Sequence, residues 1–181
     1  QKNAMPTWNW VSGEKVQVSC FTNCAEAELF LNGVSLGKKS LSAFPDRVIK
    51  WLVDYAPGKL EVVGYNNGNR AADDILQTAG APALIDATIE KDTVGKTNLV
   101  HLVMRITDKN GIPVSDADNE ISVDIKGDAH LLGLESGNSA SHEDYKSNKR
   151  KAYHGKLVAY IEWDGDAHVE VKSPGFETQK V

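Results

Sequence analysis

Apolar and polar residues alternate along most of the chain. Val16, Val18 and Cys20 alternate with Gln17 and Ser19, and Ala27, Leu29 and Leu31 with Glu26, Glu28 and Phe30. Ile49, Trp51 and Val53 share a face, as do Val100, Leu102, Met104 and Ile106, which lie opposite His101 and Arg105. Ile121, Val123 and Ile125, then Leu157, Ala159, Ile161 and Trp163, then Val169 and Val171 complete the set. A period of two is that of half-buried strands in antiparallel sheets. No helical stripe of three turns is present.

Turn signals separate these runs. Asn32-Gly33 joins two strand patterns, and both residues tolerate the positive φ that a type I′ hairpin turn demands. Pro57-Gly58, Asn67-Gly68, Asn110-Gly111 and Asp164-Gly165 punctuate the rest. Many short strands at this spacing predict an all-β protein of sandwich type. The 181 residues accommodate two such units better than one. The small, uncharged stretch Thr78-Ala79-Gly80-Ala81-Pro82 marks the boundary, because proline cannot continue a ladder. The expected organisation is two tandem immunoglobulin-like β-sandwich domains, residues 1–80 and 81–181.

Charge removes one class of partner. Residues 1–80 carry eight basic and eight acidic residues, and residues 81–181 carry twelve and seventeen. Neither half offers the positive field that a phosphate backbone requires, so nucleic acid is not expected. Lys149-Arg150-Lys151 is the only basic run, and Glu143-Asp144 precede it. No apolar run is long enough to span a membrane. Residues Gln1 to Thr7 show neither a basic start nor an apolar stretch, so no secretion signal is visible. A start at Gln1 without an initiator methionine suggests a piece of a longer protein. Cys20 and Cys24 are expected as two buried thiols, since alternating strand geometry disfavours a bridge across that spacing.

Candidate chemistry is sparse. The five histidines match no zinc spacing, and no further residue completes a four-ligand set. Ser141-His142-Glu143-Asp144 gathers the right types, but adjacent residues cannot converge on a substrate as a triad does. Asp164-Gly165-Asp166 lacks the further ligands of a calcium loop and is expected to be a plain hairpin turn. No metal and no cofactor are expected. Residues 139–151 are polar apart from Tyr145 and show no sustained period, which predicts a long loop or a poorly formed edge strand. Tyr145 and Arg150 are its candidate anchors to a neighbouring domain, because these residue types are enriched at interface centres. The alternative is a solvated loop with Tyr145 folded onto its own sandwich. Trp51 and Trp163 lie on apolar stripes and are expected in the core.

The segment Trp8-Asn9-Trp10, Val16 to Val18, Asn23-Cys24 and Glu28-Leu29-Phe30-Leu31-Asn32-Gly33 with Ser35-Leu36-Gly37 resembles the region after the catalytic barrel in glycoside hydrolase family 2, the β-galactosidase family. Trp51-Leu52-Val53, Pro57-Gly58-Lys59-Leu60, Gly64-Tyr65 and Thr78-Ala79-Gly80 continue that likeness. Asp108-Lys109-Asn110-Gly111 with Pro113-Val114, Ala117-Asp118-Asn119 and Gly127 is similar to the last immunoglobulin-like domain of the family. So are Leu132-Gly133 with Gly137-Asn138, Tyr153 with Gly155, and Gly175. The pattern of the second half also occurs in bacterial surface immunoglobulin-like repeats.

The resemblance implies a non-catalytic C-terminal region of a retaining glycosidase involved in glycan breakdown, packed on the catalytic barrel, periplasmic or secreted. A retaining glycosidase needs two carboxylates about 5 Å apart across the sugar, and the family supplies both from its barrel. Asn119-Glu120 mimics the family's acid/base dipeptide. A barrel needs about 200 residues or more, and Glu120 opens a strand instead, so no residue here is expected to be catalytic. Trp8 and Trp10 are the candidates for contact with carbohydrate, on a segment that the barrel would cover. The alternatives are a carbohydrate-binding module and a surface adhesion repeat.

Overall fold

The computed structural model describes residues 6–91 and 98–181. All regular structure in them is β, apart from one 3-10 turn at Leu41–Ala43. Every strand pairing is antiparallel. The chain divides into two compact units, Gln1–Thr78 and Ala79–Val181.

The first unit holds β1 (Lys15–Phe21), β2 (Glu26–Leu31), β3 (Val34–Ser40), β4 (Val48–Asp54), β5 (Lys59–Asn66) and β6 (Asn69–Gln77). β1 and β4 form a two-stranded sheet, and β3-β2-β5-β6 form a four-stranded one. The predicted stripes meet between them. Ala27, Leu29, Ile49, Trp51 and Val53 are buried in one cluster with Trp8 and Leu60. The Trp51 indole N–H donates to the Gly37 carbonyl at 3.0 Å, and Lys39 Nζ to the Lys50 carbonyl at 2.7 Å. These two bonds hold β4 over β3.

The Asn32-Gly33 hairpin forms as expected. Leu31 pairs with Val34, and the two loop residues have φ of 51° and 81°, the positive pair of a type I′ turn. The Asn32 side chain also accepts from Lys59 N at 2.8 Å and donates to the Pro57 carbonyl at 3.0 Å. One asparagine therefore ties the β2–β3 hairpin to the β4–β5 turn. Space is open around Gly33, so a side chain there meets only the torsional penalty. Gly33→Val should lower the stability of this unit by roughly 1 kcal/mol, read as a shifted urea midpoint. An unchanged midpoint would refute the turn type.

The second unit holds β7 (Leu84–Lys91), β8 (Leu99–Thr107), β9 (Glu120–Glu135), β10 (Lys149–Lys151), β11 (Lys156–Lys172) and β12 (Gln179–Lys180). The order is β10-β9-β11-β8-β7, with β12 on β11. β9 and β11 are far longer than the stripes that announced them. β8 pairs with Lys156–Glu162 of β11, whereas β12 pairs with its other end. Ile121, Val123, Val169 and Val171 from one half of this hairpin share a core with Leu134, Leu157 and Ile161 from the other. The sheet therefore folds over itself into a sandwich-like unit.

Two irregularities permit that fold. Between Trp163 and Ala167 the register shifts, so Asp164, Gly165 and Asp166 lie opposite the single Asp128. This corrects the hairpin turn expected at Asp164-Gly165: the strand runs through, with a bulge. Gly127 sits at the bulge with φ 95°, and a Cβ there would lie 2.2 Å from the Asp166 carbonyl oxygen. The second shift, beside Tyr160 and Ile161, leaves Leu132 unpaired between Leu131 and Gly133. Bulges bend strands and re-aim side chains.

Asp108 anchors the turn after β8. It is 2% exposed. Its carboxylate accepts from Gly80 N at 2.8 Å, Asn110 N at 2.8 Å and Ile112 N at 3.0 Å. The Gly80 N–H foremost, with those of Ile112 and Asn110, holds its pKa below the usual carboxylate value against the opposing effect of burial.

Candidate functional site

The residues expected to carry function lie in three places. Trp8 is core: it is 1% exposed, its indole N–H donates to the Ala56 carbonyl at 3.0 Å, and its ring meets Tyr55 edge-on at 5.3 Å. This overturns Trp8 as a surface for sugar. Thr78 Oγ1 donates to the Trp8 carbonyl at 2.7 Å, which fastens the segment to the end of β6. Trp10 packs half-buried against the same core.

Arg150 is the second correction. It lies on β10 and is fully buried in its own unit, so it is not presented to a neighbouring domain. Its Nη1 donates to the Glu143 carbonyl at 3.2 Å, and its guanidinium lies 4.6 Å from the centroid of the Tyr145 ring. The Glu143 carboxylate accepts from Lys151 N at 3.0 Å and Ser141 Oγ at 2.8 Å. The Lys151 N–H foremost, then the Ser141 hydroxyl and the Arg150 charge, hold Glu143 below the usual carboxylate value. The segment ahead of β10 is thus folded around Arg150. It is pinned to β9 where Leu134 N donates to the Tyr145 carbonyl and Val123 N to the Asn148 carbonyl, each at 2.8 Å. β10 itself is the short edge strand that the polar pattern allowed.

The outer face of Tyr145 stays open at 55% exposure. It borders a groove of about 440 Å³ lined by Leu99, Leu132, Gly133, Glu135 and Tyr160. The register explains the groove. The bulge turns Leu132 outward, and Gly133, without a side chain, lies opposite Tyr160 and close under the Tyr145 carbonyl oxygen. His101 meets Tyr160 edge-on at 5.0 Å. Glu135 accepts from Gly137 N at 2.6 Å. Two aromatic faces and one carboxylate suit adhesion by stacking and hydrogen bonding. The pattern could have announced Tyr160, which stands on the polar side of its stripe, but Leu132 depends on a bulge.

Glu120 pairs with Lys149 at 3.5 Å on the strand surface. Among the described residues no group of three or more His, Cys, Asp or Glu is placed to hold a metal ion, and no helix is long and apolar enough to cross a membrane. Cys20 and Cys24 are free thiols, the second buried and the first half-buried.

An all-β, antiparallel architecture of sandwich type defines the class of fold. Comparison with known proteins supplies the particular family. Residues 85–181 match the glycoside hydrolase family 2 C-terminal domain 5, and the chain belongs to that family. Residues 13–72 match a domain family of unknown function, DUF4982. The chain is 34% identical over 163 residues to the beta-galactosidase BoGH2A of Bacteroides ovatus, covering 88% of this chain and 19% of that protein. It is 31% identical over 164 residues to a putative beta-glucuronidase of Formosa agariphila, covering 87% and 16%. Among solved structures, a beta-glycosidase from Bacteroides vulgatus superposes with a TM-score of 0.89 at 31% identity, over 98% of this chain and 24% of that one. The chain therefore spans about a fifth of the length of these relatives, and corresponds to their C-terminal part.

Proposed function

We propose that this chain is the non-catalytic C-terminal region of a retaining, β-galactosidase-like enzyme that breaks down glycans outside the cytoplasm, in the periplasm or after secretion. In this reading residues 1–80 and 81–181 are two immunoglobulin-like domains that pack on the catalytic barrel. The observation that carries it is the match to a family 2 C-terminal domain, combined with alignment to only about a fifth of relatives named as glycosidases. The site geometry agrees, because the carboxylates Asp108 and Glu143 are occupied with backbone N–H groups and Glu120 with a lysine.

A second reading is contact with glycan, favoured by the open groove between Tyr145 and Tyr160. One preparation tests both. The isolated chain should not hydrolyse nitrophenyl galactosides, glucuronides or mannosides. Turnover that survives purification and disappears in Glu120→Gln would overturn the accessory assignment. Saturable oligosaccharide binding that Tyr160→Ala abolishes would move the assignment to the second reading.

A further inference from the structure

In the first unit a two-stranded sheet faces a four-stranded one. β4 covers β3, through the Trp51 and Lys39 bonds, and β1 lies beside it. Beyond β1 the inward side of β5 and β6 has no strand above it among the described residues. A slot of about 310 Å³ opens there, between Val18 and Cys20 of β1 and Val62, Asp74 and Leu76 of the opposite sheet, reaching Leu29. Leu29 is buried, whereas Val18, Cys20, Val62 and Leu76 are only half-buried. The core thus continues to an open side. Phe21, at the slot's end, is 75% exposed.

The backbone repeats the asymmetry. Among the described residues β1 pairs with β4 alone, so its other edge presents seven residues of ladder-forming backbone. A long strand edge with apolar residues beside it is a template for a further strand.

We infer that this slot receives an extended segment of the parent polypeptide lying outside these residues, which pairs with the free edge of β1. Its alternate side chains would be apolar and enter between β1 and β6, and the residue facing Asp74 would be Lys or Arg. Asp74 is exposed at the mouth, and among the described residues its carboxylate accepts only the N–H of the next residue, Ile75, at 2.8 Å. Covering it without a cation would leave a desolvated charge. The source follows from length, since relatives extend far beyond the aligned region. The inference rests on the proposed membership of a larger enzyme.

Cys20 provides the probe, because it lines the slot while Cys24 is buried. Burial, then Cys24 and Asp74, push its thiol pKa up, so alkylation with iodoacetamide is run at about pH 9. In the 181-residue chain Cys20 should be alkylated, and about half of the β1 amides should exchange quickly. In the intact parent both reactions should be slower by about tenfold or more. Asp74→Arg should leave the melting of the isolated chain unchanged and, in the parent, return Cys20 to the faster rate. Equal rates in chain and parent would overturn the slot as a docking site. Protection that grows with the concentration of the isolated chain would assign the edge to a second copy and overturn the inference equally. A parent that hydrolyses glycosides yet leaves Cys20 open defeats only the strand. A parent without hydrolase activity defeats the proposed function.

Discussion

Replacing Asp108 with alanine should lower the stability of residues 79–181 by about 3 kcal/mol, one of the largest losses expected from a single polar substitution here. Three N–H groups, those of Gly80, Asn110 and Ile112, lose one shared acceptor. These bonds are part-buried, and donors shielded from water and left without a partner are costlier than the net worth of the bonds removed. The pH dependence has a definite sign. The native pKa of Asp108 is depressed, so its contribution is complete above the unfolded value of about 3.9. It is lost as pH falls from there through the native value. Urea titrations between about pH 3 and pH 7 should show a steeper acid loss for the wild type than for Asp108→Asn. Parallel profiles would show that the carboxylate charge is not what the turn uses.

Arg150→Ala should produce a comparable effect, about 3 kcal/mol, with the damage centred on the segment that leads into β10. The guanidinium fills a fully buried position, donates to the Glu143 carbonyl and stacks under Tyr145. Truncation opens a cavity and removes both contacts. Arg150→Met should recover most of the loss. Nε and Nη2 of Arg150 are buried with no hydrogen-bond acceptor among the described residues, and that desolvation cost vanishes with the charge. Urea midpoints of the two variants decide it. A methionine variant as unstable as the alanine one would show that the charge itself orders the segment. An alanine variant within about 0.5 kcal/mol of wild type would show that Arg150 holds nothing.

The two predictions draw on residues that were legible to different degrees. Asp108 opens an Asp-x-x-Gly turn visible in the pattern. Its depth is a tertiary matter, since one of its donors is Gly80, far away in the chain. Arg150 was read as an interface residue because arginine is enriched at interface centres. Nothing local shows that Tyr145 and Glu143 close over it. The same limit applies to Trp8, whose partners Ala56 and Tyr55 are long-range.

Strands announced themselves where one face was buried. β4, β8 and the ends of β9 and β11 carry clean stripes, and the Asn-Gly pairs fixed the hairpins at Asn32 and Asn67, each with positive φ at both residues. β6 was silent. Of its nine residues only Leu76 is even half-buried, because among the described residues no strand lies above that part of the sheet. β9 and β11 were read as shorter pieces, β11 because Asp164-Gly165 carries turn chemistry. The chain uses those residues for a bulge, and only pairing with the opposite strand separates the two outcomes.

The shared β9–β11 hairpin has a consequence for how the second unit comes apart. In a sandwich built from separate strands, one face can open while the other persists. Here the same two strands supply inward residues to both ends of one core, and the bulge at Asp164–Asp166 is a bend in continuous backbone. Peeling β10 or β12 from one end leaves the hairpin held by β8 at the other. Losing the hairpin removes both ends together. The unit therefore has edges that can fray and a centre that opens as a single cooperative block.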